Sequence, residues 1–348
     1  MLSNEQLEEI REHLEKAQNP VFFFDNDIDG MMSFVLLRRF IDRGKGVAIK
    51  SFPGLDVSYA QKVDELNADY VFILDKPIVS QEFVDEVDKK NLPIVWIDHH
   101  DVSHNVEGNN LNYYNPFFAE ESSSEPTSYL AYKVVKNKED MWLAMAGCIG
   151  DNYFPEFVDE FAKKHSDIWK RGAKSAFEIL YESEFGKLIN ILGFALKDRT
   201  SNVISMINYL FKVRNPSDIL VESSGNGRIL KRYGQVNSVY QKLLEKAKRV
   251  SRTSNKVIFF QYGGEMSLSA DLSNELSYRF PGKVILVAFV KGEVVNVSIR
   301  GSSVRETTLK AVEVVGNATG GGHENATGAK VMFKDLKKFV GVFEEAFD

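Results

Sequence analysis

Val21-Phe-Phe-Phe-Asp25-Asn-Asp27-Ile-Asp29-Gly30 is the stretch on which the reading of the fold turns. A short apolar run bounded by turn residues reads as a buried strand. It ends directly in three carboxylates within five positions. A helix is predicted from near Met31 to Asp42, with Arg43-Gly44 as its stop. Upstream, Ser3 and Gln6 form a capping-box pattern, and Leu7, Ile10 and Leu14 keep helical spacing up to the break at Asn19-Pro20. Downstream the alternation repeats. Strands are predicted over Val47 to Phe52, Tyr70 to Leu74, Pro93 to Ile97 and Leu111 to Tyr114. Helices are predicted from Tyr59 to Leu66, from the Ser80 cap through Lys89, and over 124–137 and 139–148, before Gly150-Asp151. Strands alternating with helices predict a doubly wound parallel sheet, an α/β fold that binds ligands beyond the carboxyl ends of its strands. Three of the predicted strands end in an acid there: Asp25, Asp75 and Asp98.

The remainder is read in two parts. Residues 152–254 are predicted mainly helical and end in a long helix, from about 229 to 251, bearing Lys242, Lys246, Lys248, Arg249 and Arg252. These cations read as a solvated helix face, with the lining of a nucleic-acid groove as the weaker alternative. From Lys256 the pattern turns to β (KVIFFQY, KVILVAFVKG, EVVNVSIRG). A glycine-rich loop, Gly320 to Gly328, is predicted before a strand from Ala329 to Phe333, and a closing helix carries Leu336, Phe339, Phe343 and Phe347 on one face. The predicted domains are therefore 1–151, 152–254 and 255–348.

Composition excludes several classes. The 348 residues carry 43 Lys and Arg against 49 Asp and Glu, a net −6, so no overall basic field holds long nucleic acid. One cysteine, Cys148, excludes a disulfide framework and thiolate-rich metal sites. No apolar stretch reaches the ~18 residues of a membrane span, and the polar start has no signal-peptide core; a cytoplasmic setting without membrane contact is expected.

The acids and histidines carry the chemistry. Asp25, Asp27 and Asp29 repel one another unless a cation is present. With Asp75, His99 and Asp151 they make an oxygen-rich set with an imidazole, suited to Mn²⁺ or Mg²⁺. A calcium loop is excluded because the twelfth position is Leu36 counted from Asp25 and Arg38 counted from Asp27, where a Glu is required. The carboxylates exceed the needs of one ion, and two ions ~4 Å apart could clamp a phosphoryl group. His104, His13 and His165 are read as surface residues and Cys148 as a buried thiol.

Asp27/Asp29, Asp75, Asp98-His99-His100 and Asp151, in that order, resemble the four successive motifs of the DHH phosphoesterase superfamily. Ser298-Ile-Arg300 followed by Gly320-Gly-Gly-His323-Glu-Asn-Ala-Thr-Gly328 resembles its DHH-associated C-terminal domain. The layout is similar to archaeal RecJ-like nucleases, and the core also resembles bacterial nanoRNases. The resemblance implies a catalytic α/β domain, a helical insert, a smaller C-terminal α/β domain and an active-site cleft between the domains. It implies two Mn²⁺ ions, held by Asp27, Asp29, Asp75, His99 and Asp151, with Asp75 bridging and Asp25 either a ligand or a support of the loop. Asp98 would orient a histidine, and His100 would meet the scissile phosphate or act as general acid. Arg300, Gly320, Gly321, Gly322 and His323 would bind substrate. The implied activity is Mn-dependent exonucleolytic hydrolysis of single-stranded nucleic acid or short oligonucleotides. Alternatives are a nanoRNase, a 3′-phosphoadenosine phosphatase, a cyclic dinucleotide phosphodiesterase, or a non-catalytic replication or repair scaffold with protein partners.

Overall fold

The computed structural model describes residues 1–49, 54–253 and 256–347. The chain divides into two compact units, Met1–Tyr233 and Gly234–Asp348.

The first unit opens with helix α1 (Asn4–Lys16), capped by the predicted Ser3/Gln6 box. Strand β1 (Pro20–Asp25), α2 (Ile28–Ile41), β2 (Lys45–Ile49), α3 (Ala60–Glu65), β3 (Tyr70–Leu74), α4 (Gln81–Asp88), β4 (Ile94–Ile97) and β5 (Leu111–Tyr114) follow. The strands form one sheet in the order β2-β1-β3-β4-β5, all parallel. Alternation divides the phenylalanine run between the faces. Phe22 and Phe24 join Phe72, Leu74, Val95 and Ile97 in the larger core, while Val21 and Phe23 pack with Val71, Ile73, Trp96, Phe83 and Val84 on the other side. Both faces are covered, so the strands read as continuous apolar runs.

Helices α5 (Thr127–Val135), α6 (Met141–Gly150), α7 (Val158–Lys164), α8 (Ala176–Glu182), α9 (Glu184–Ala195) and α10 (Thr200–Leu210) complete this unit, with the start of α11 (Gly227–Thr253). Phe161, Ile179, Phe185, Leu188, Leu192 and Met206 share the core that covers Phe22 and Phe24. Residues 152–233 therefore pack with the parallel sheet, and the division between units falls inside α11, ahead of the change to β pattern at Lys256.

The second unit contains β6 (Val257–Gly263), α12 (Ser269–Arg279), β7 (Val284–Lys291), β8 (Val294–Arg300), α13 (Val304–Val315), β9 (Ala318–His323), β10 (Ala326–Met332) and α14 (Leu336–Phe347). Its sheet runs β6-β7-β8-β10-β9, with β6 and β7 parallel and the other pairs antiparallel. Leu336, Phe339 and Phe343 pack its core as the helical spacing predicts.

Three expectations are corrected. Helix α2 starts at Ile28 rather than near Met31, because Asp27 caps it by accepting from the Gly30 N–H at 2.9 Å. The glycine-rich segment is not a loop: Gly320, Gly321 and Gly322 lie in edge strand β9, paired with Ala329, Gly328 and Thr327. A Cβ on Gly322, whose φ is +136°, would stand 2.6 Å from the Ala326 carbonyl oxygen, so the close hairpin requires glycine. His104 is packed, its ring centroid 4.5 Å from that of Trp96 and 4.4 Å from that of Tyr113. Of the strand expected over Val47 to Phe52, the part from Lys50 lies outside the described residues.

Candidate metal centre

Strand register builds the site. Phe24 pairs with Leu74 and Leu74 with Ile97, so Asp25, Asp75 and Asp98 follow at one sheet edge. The neighbours of β1, β2 and β3, lie on opposite sides of it, which makes this edge the topological switch point. Asp75 turns the chain sharply with φ +58° while its N–H donates to the Ile97 carbonyl at 2.9 Å. Asp98 N–H donates likewise to Tyr114 at 3.0 Å. Gly30 permits the first turn of α2 to press on the strand end: a Cβ there would meet the Asp25 carbonyl oxygen at 2.6 Å. Asp151 is delivered by the last turn of α6, its N–H bonded to the Gly147 carbonyl at 2.9 Å.

Two groups of potential ligands result, and Asp75 belongs to both. Asp75, His99 and His100 form one; Asp25, Asp27 and Asp75 form the other, with donor atoms in each within 4.8 Å of one another. Asp151 joins the first through His99, Oδ2 to Nε2 at 3.6 Å, and His99 Nε2 also stands 3.3 Å from Asp75 Oδ1. Asp75 is 2% exposed, and its Oδ1 accepts no hydrogen bond among the described residues. A buried carboxylate oxygen in that position is costly unless a cation or proton meets it. Burial and the negative charges of Asp27, Asp29, Asp25 and Asp151 hold the Asp75 carboxyl well above the usual range. Desolvation, offset in part by His99, raises Asp151 to about 7. This strain and the carboxylate–imidazole donor set fit a hard divalent cation.

Asp98 and His100 form a separate pair. His100 Nδ1 lies 2.8 Å from Asp98 Oδ1, and Asp98 is fully buried. Burial pulls the imidazole down, but the Asp98 hydrogen bond and charge, with Asp151 and Asp27, outweigh it and raise His100 to about 9. Asp98 thus fixes the His100 ring through Nδ1.

Asp29 is placed differently from the other acids. One carboxylate oxygen accepts from the Thr127 N–H at 2.7 Å, and the other from the Ser128 N–H at 3.0 Å and from the Ser128 hydroxyl. It caps the start of α5, and neither ligand group contains it.

Sequence reasoning missed Lys76. Its side chain is 0% exposed, and Nζ donates to Asp25 Oδ1 at 3.3 Å. Its carbonyl accepts from Trp96 Nε1 at 2.8 Å, which fixes the backbone behind Asp75. The signal available was its place directly after a strand-terminal acid.

In the second unit, Arg300 and His323 both pair in register with Ala326, one on each side, and so share a face of the sheet two strand spacings apart. Arg300 Nε donates to Asn274 Oδ1 at 2.6 Å, and Nη1 to the Ile299 and Thr327 carbonyls. Lys242, Lys246 and Arg249 are exposed on α11, as a solvated face should be.

Residues 21–150 match the DHH family, N-terminal domain. RecJ of Thermus thermophilus, solved in complex with Mn²⁺, superposes with TM-score 0.70 at 13% identity over 98% of this chain; the chain spans 54% of that protein. The DHH domain of a member of a ribosomal-protein family superposes with TM-score 0.68 at 15% identity, covering 98% of this chain and 89% of that one. An exonuclease RecJ bound to manganese gives 0.64 at 12% identity, with 98% and 93% covered. At these identities the likeness is one of fold. No curated protein matches the chain in sequence.

Proposed function

We propose that the chain, whose residues 21–150 match the DHH family's N-terminal domain, is a divalent-metal-dependent phosphodiesterase of the RecJ-like kind, trimming single-stranded nucleic acid from an end. The observation that carries this reading is Asp75, the one carboxylate common to both ligand groups, buried with an oxygen that no hydrogen bond among the described residues satisfies. In this proposal Asp75, common to both groups, would help to hold two cations, together with His99 and Asp151 for one and Asp27 and Asp25 for the other. Cations held there supply charge against the phosphate and acidify water, and Mn²⁺, present in both RecJ structures, is the proposed ion. His100 keeps Nδ1 on Asp98, so Nε2 is its nitrogen for the substrate. As an imidazolium it would neutralise a phosphate oxygen or give a proton to the departing oxygen. Arg300 and His323 would hold the adjacent nucleotide, Arg300 through charge-assisted hydrogen bonds to phosphate.

A second reading, a substrate only two or a few nucleotides long, is favoured by the net charge of −6. One experiment separates the two. The protein is incubated with Mn²⁺, an end-labelled single strand of about 20 nucleotides and a dinucleotide, with His99→Ala and Asp75→Ala as blanks. Stepwise shortening of the long strand, abolished in both variants, is the expected result. Hydrolysis of the dinucleotide alone favours the second reading. Wild-type turnover in a folded variant overturns the assignment of the centre.

A further inference from the structure

Lys76 makes the two ligand groups chemically unequal. It is fully buried, and its ammonium rests on Asp25, a member of one group. The His100–Asp98 hydrogen bond at this edge is built differently. His100 is matched by Asp98, and Asp98 belongs to neither group. Pairing there takes Nδ1 of His100 but no carboxylate of either group, whereas the Lys76 pairing engages a carboxylate that a metal ion would need. Asp25 Oδ1 also accepts from the Asn26 N–H at 2.8 Å, which draws further on the same oxygen. An ion entering the Asp25, Asp27 and Asp75 group meets one shared carboxylate and a fixed positive charge beside it. An ion at Asp75 and His99 finds Asp151 adjacent as a further carboxylate.

We propose that Lys76 acts as a built-in cation that weakens the Asp25/Asp27/Asp75 subsite, so the centre fills in order, the His99 side first and the Asp25 side at least tenfold more weakly. This rests on the metal-centre reading above. Lys76 is a positioning residue here: it acts through Asp25.

The test is calorimetric titration of the full, chelator-stripped protein with Mn²⁺, with no substrate present. Wild type is expected to show two classes of binding at least tenfold apart. Lys76→Met, nearly isosteric and neutral, is expected to tighten the weaker class at least tenfold and leave the tighter one within twofold. A single ion in wild type with a second gained in Lys76→Met is the same result at its limit. Lys76→Gln serves if the methionine variant does not fold, and the wild-type separation requires no variant. Two equal classes in wild type, or a weaker class unmoved by both substitutions, overturns the inequality and leaves the phosphodiesterase reading intact. No Mn²⁺ binding at all overturns both.

Discussion

At His100 two large effects oppose each other, and the ion pair wins. The ring is 22% exposed, so burial alone would favour the neutral imidazole, yet Asp98 at 2.8 Å raises it to about 9. The ordinary value is near 6.5, so the folded state binds this proton more tightly than the unfolded state. The resulting stability is complete below pH 6.5 and is lost as pH rises through 9; it amounts to about 3 kcal/mol at most. In chelator, the urea midpoint is therefore expected to fall from pH 6.5 to 9, and Asp98→Asn to flatten that slope. An NMR titration of the His100 ring checks the cause directly, and a midpoint near 6.5 in wild type sinks the argument. The acids and adjacent histidines were legible because such residues at strand ends have few other uses. Lys76 was not, because lysine is almost always exposed and only tertiary closure buries this one. His104 was misread for a related reason: its polar sequence neighbours do not reveal that Trp96 and Tyr113 fold over it.

Among the elements, α5 depends on a residue far from it in sequence. The N–H groups of Thr127 and Ser128 are donors without helical partners, and Asp29 accepts both. Asp29→Ala in chelator is expected to cost roughly 2–3 kcal/mol of unfolding free energy, since a buried charge-assisted pair of donors is orphaned. If Asp29 served only as a metal ligand, its removal would leave metal-free stability unchanged or raise it by relieving repulsion. Urea unfolding of the stripped protein distinguishes the cases. In β9, two adjacent glycines are expected to behave oppositely. A Cβ at Gly321 meets open space, while one at Gly322 collides with the Ala326 carbonyl and needs φ +136°. Gly321→Ala should stay within about 0.5 kcal/mol and Gly322→Ala should lose about 2 kcal/mol or more by the same assay. Apolar runs between turn signals gave the parallel strands clearly. The glycine run misled because glycine weakens strands in isolation, and the pairing with Thr327 and Gly328 that makes it a strand is set by α13 and the hairpin.

For the whole molecule, the α/β class and the later mixed sheet followed from periodicity, but the division between units did not. Ile229, Val236, Tyr240, Leu244 and Ala247 continue one helical stripe through α11, so the pattern carries no mark where its packing partners change. That division bears on function. Every member of the two ligand groups, and Asp151 beside them, lies in the first unit, and Arg300 lies in the second. If the second unit contributes substrate contacts alone, Arg300→Ala should separate binding from metal loading. The Mn²⁺ affinities are expected to remain within twofold of wild type, because no ligand is touched. KM for the cleaved strand is expected to rise roughly tenfold or more, the loss of one charge-assisted contact, with kcat changed far less. Arg300 also donates to Asn274 and to two carbonyls, so Asn274→Ala is the control for disturbed packing. A rise in KM with Arg300→Ala but not with Asn274→Ala assigns the effect to the guanidinium's contact with substrate. Loss of bound Mn²⁺ in Arg300→Ala would show that the second unit shapes the metal centre itself, and an unchanged KM would remove Arg300 from the binding surface.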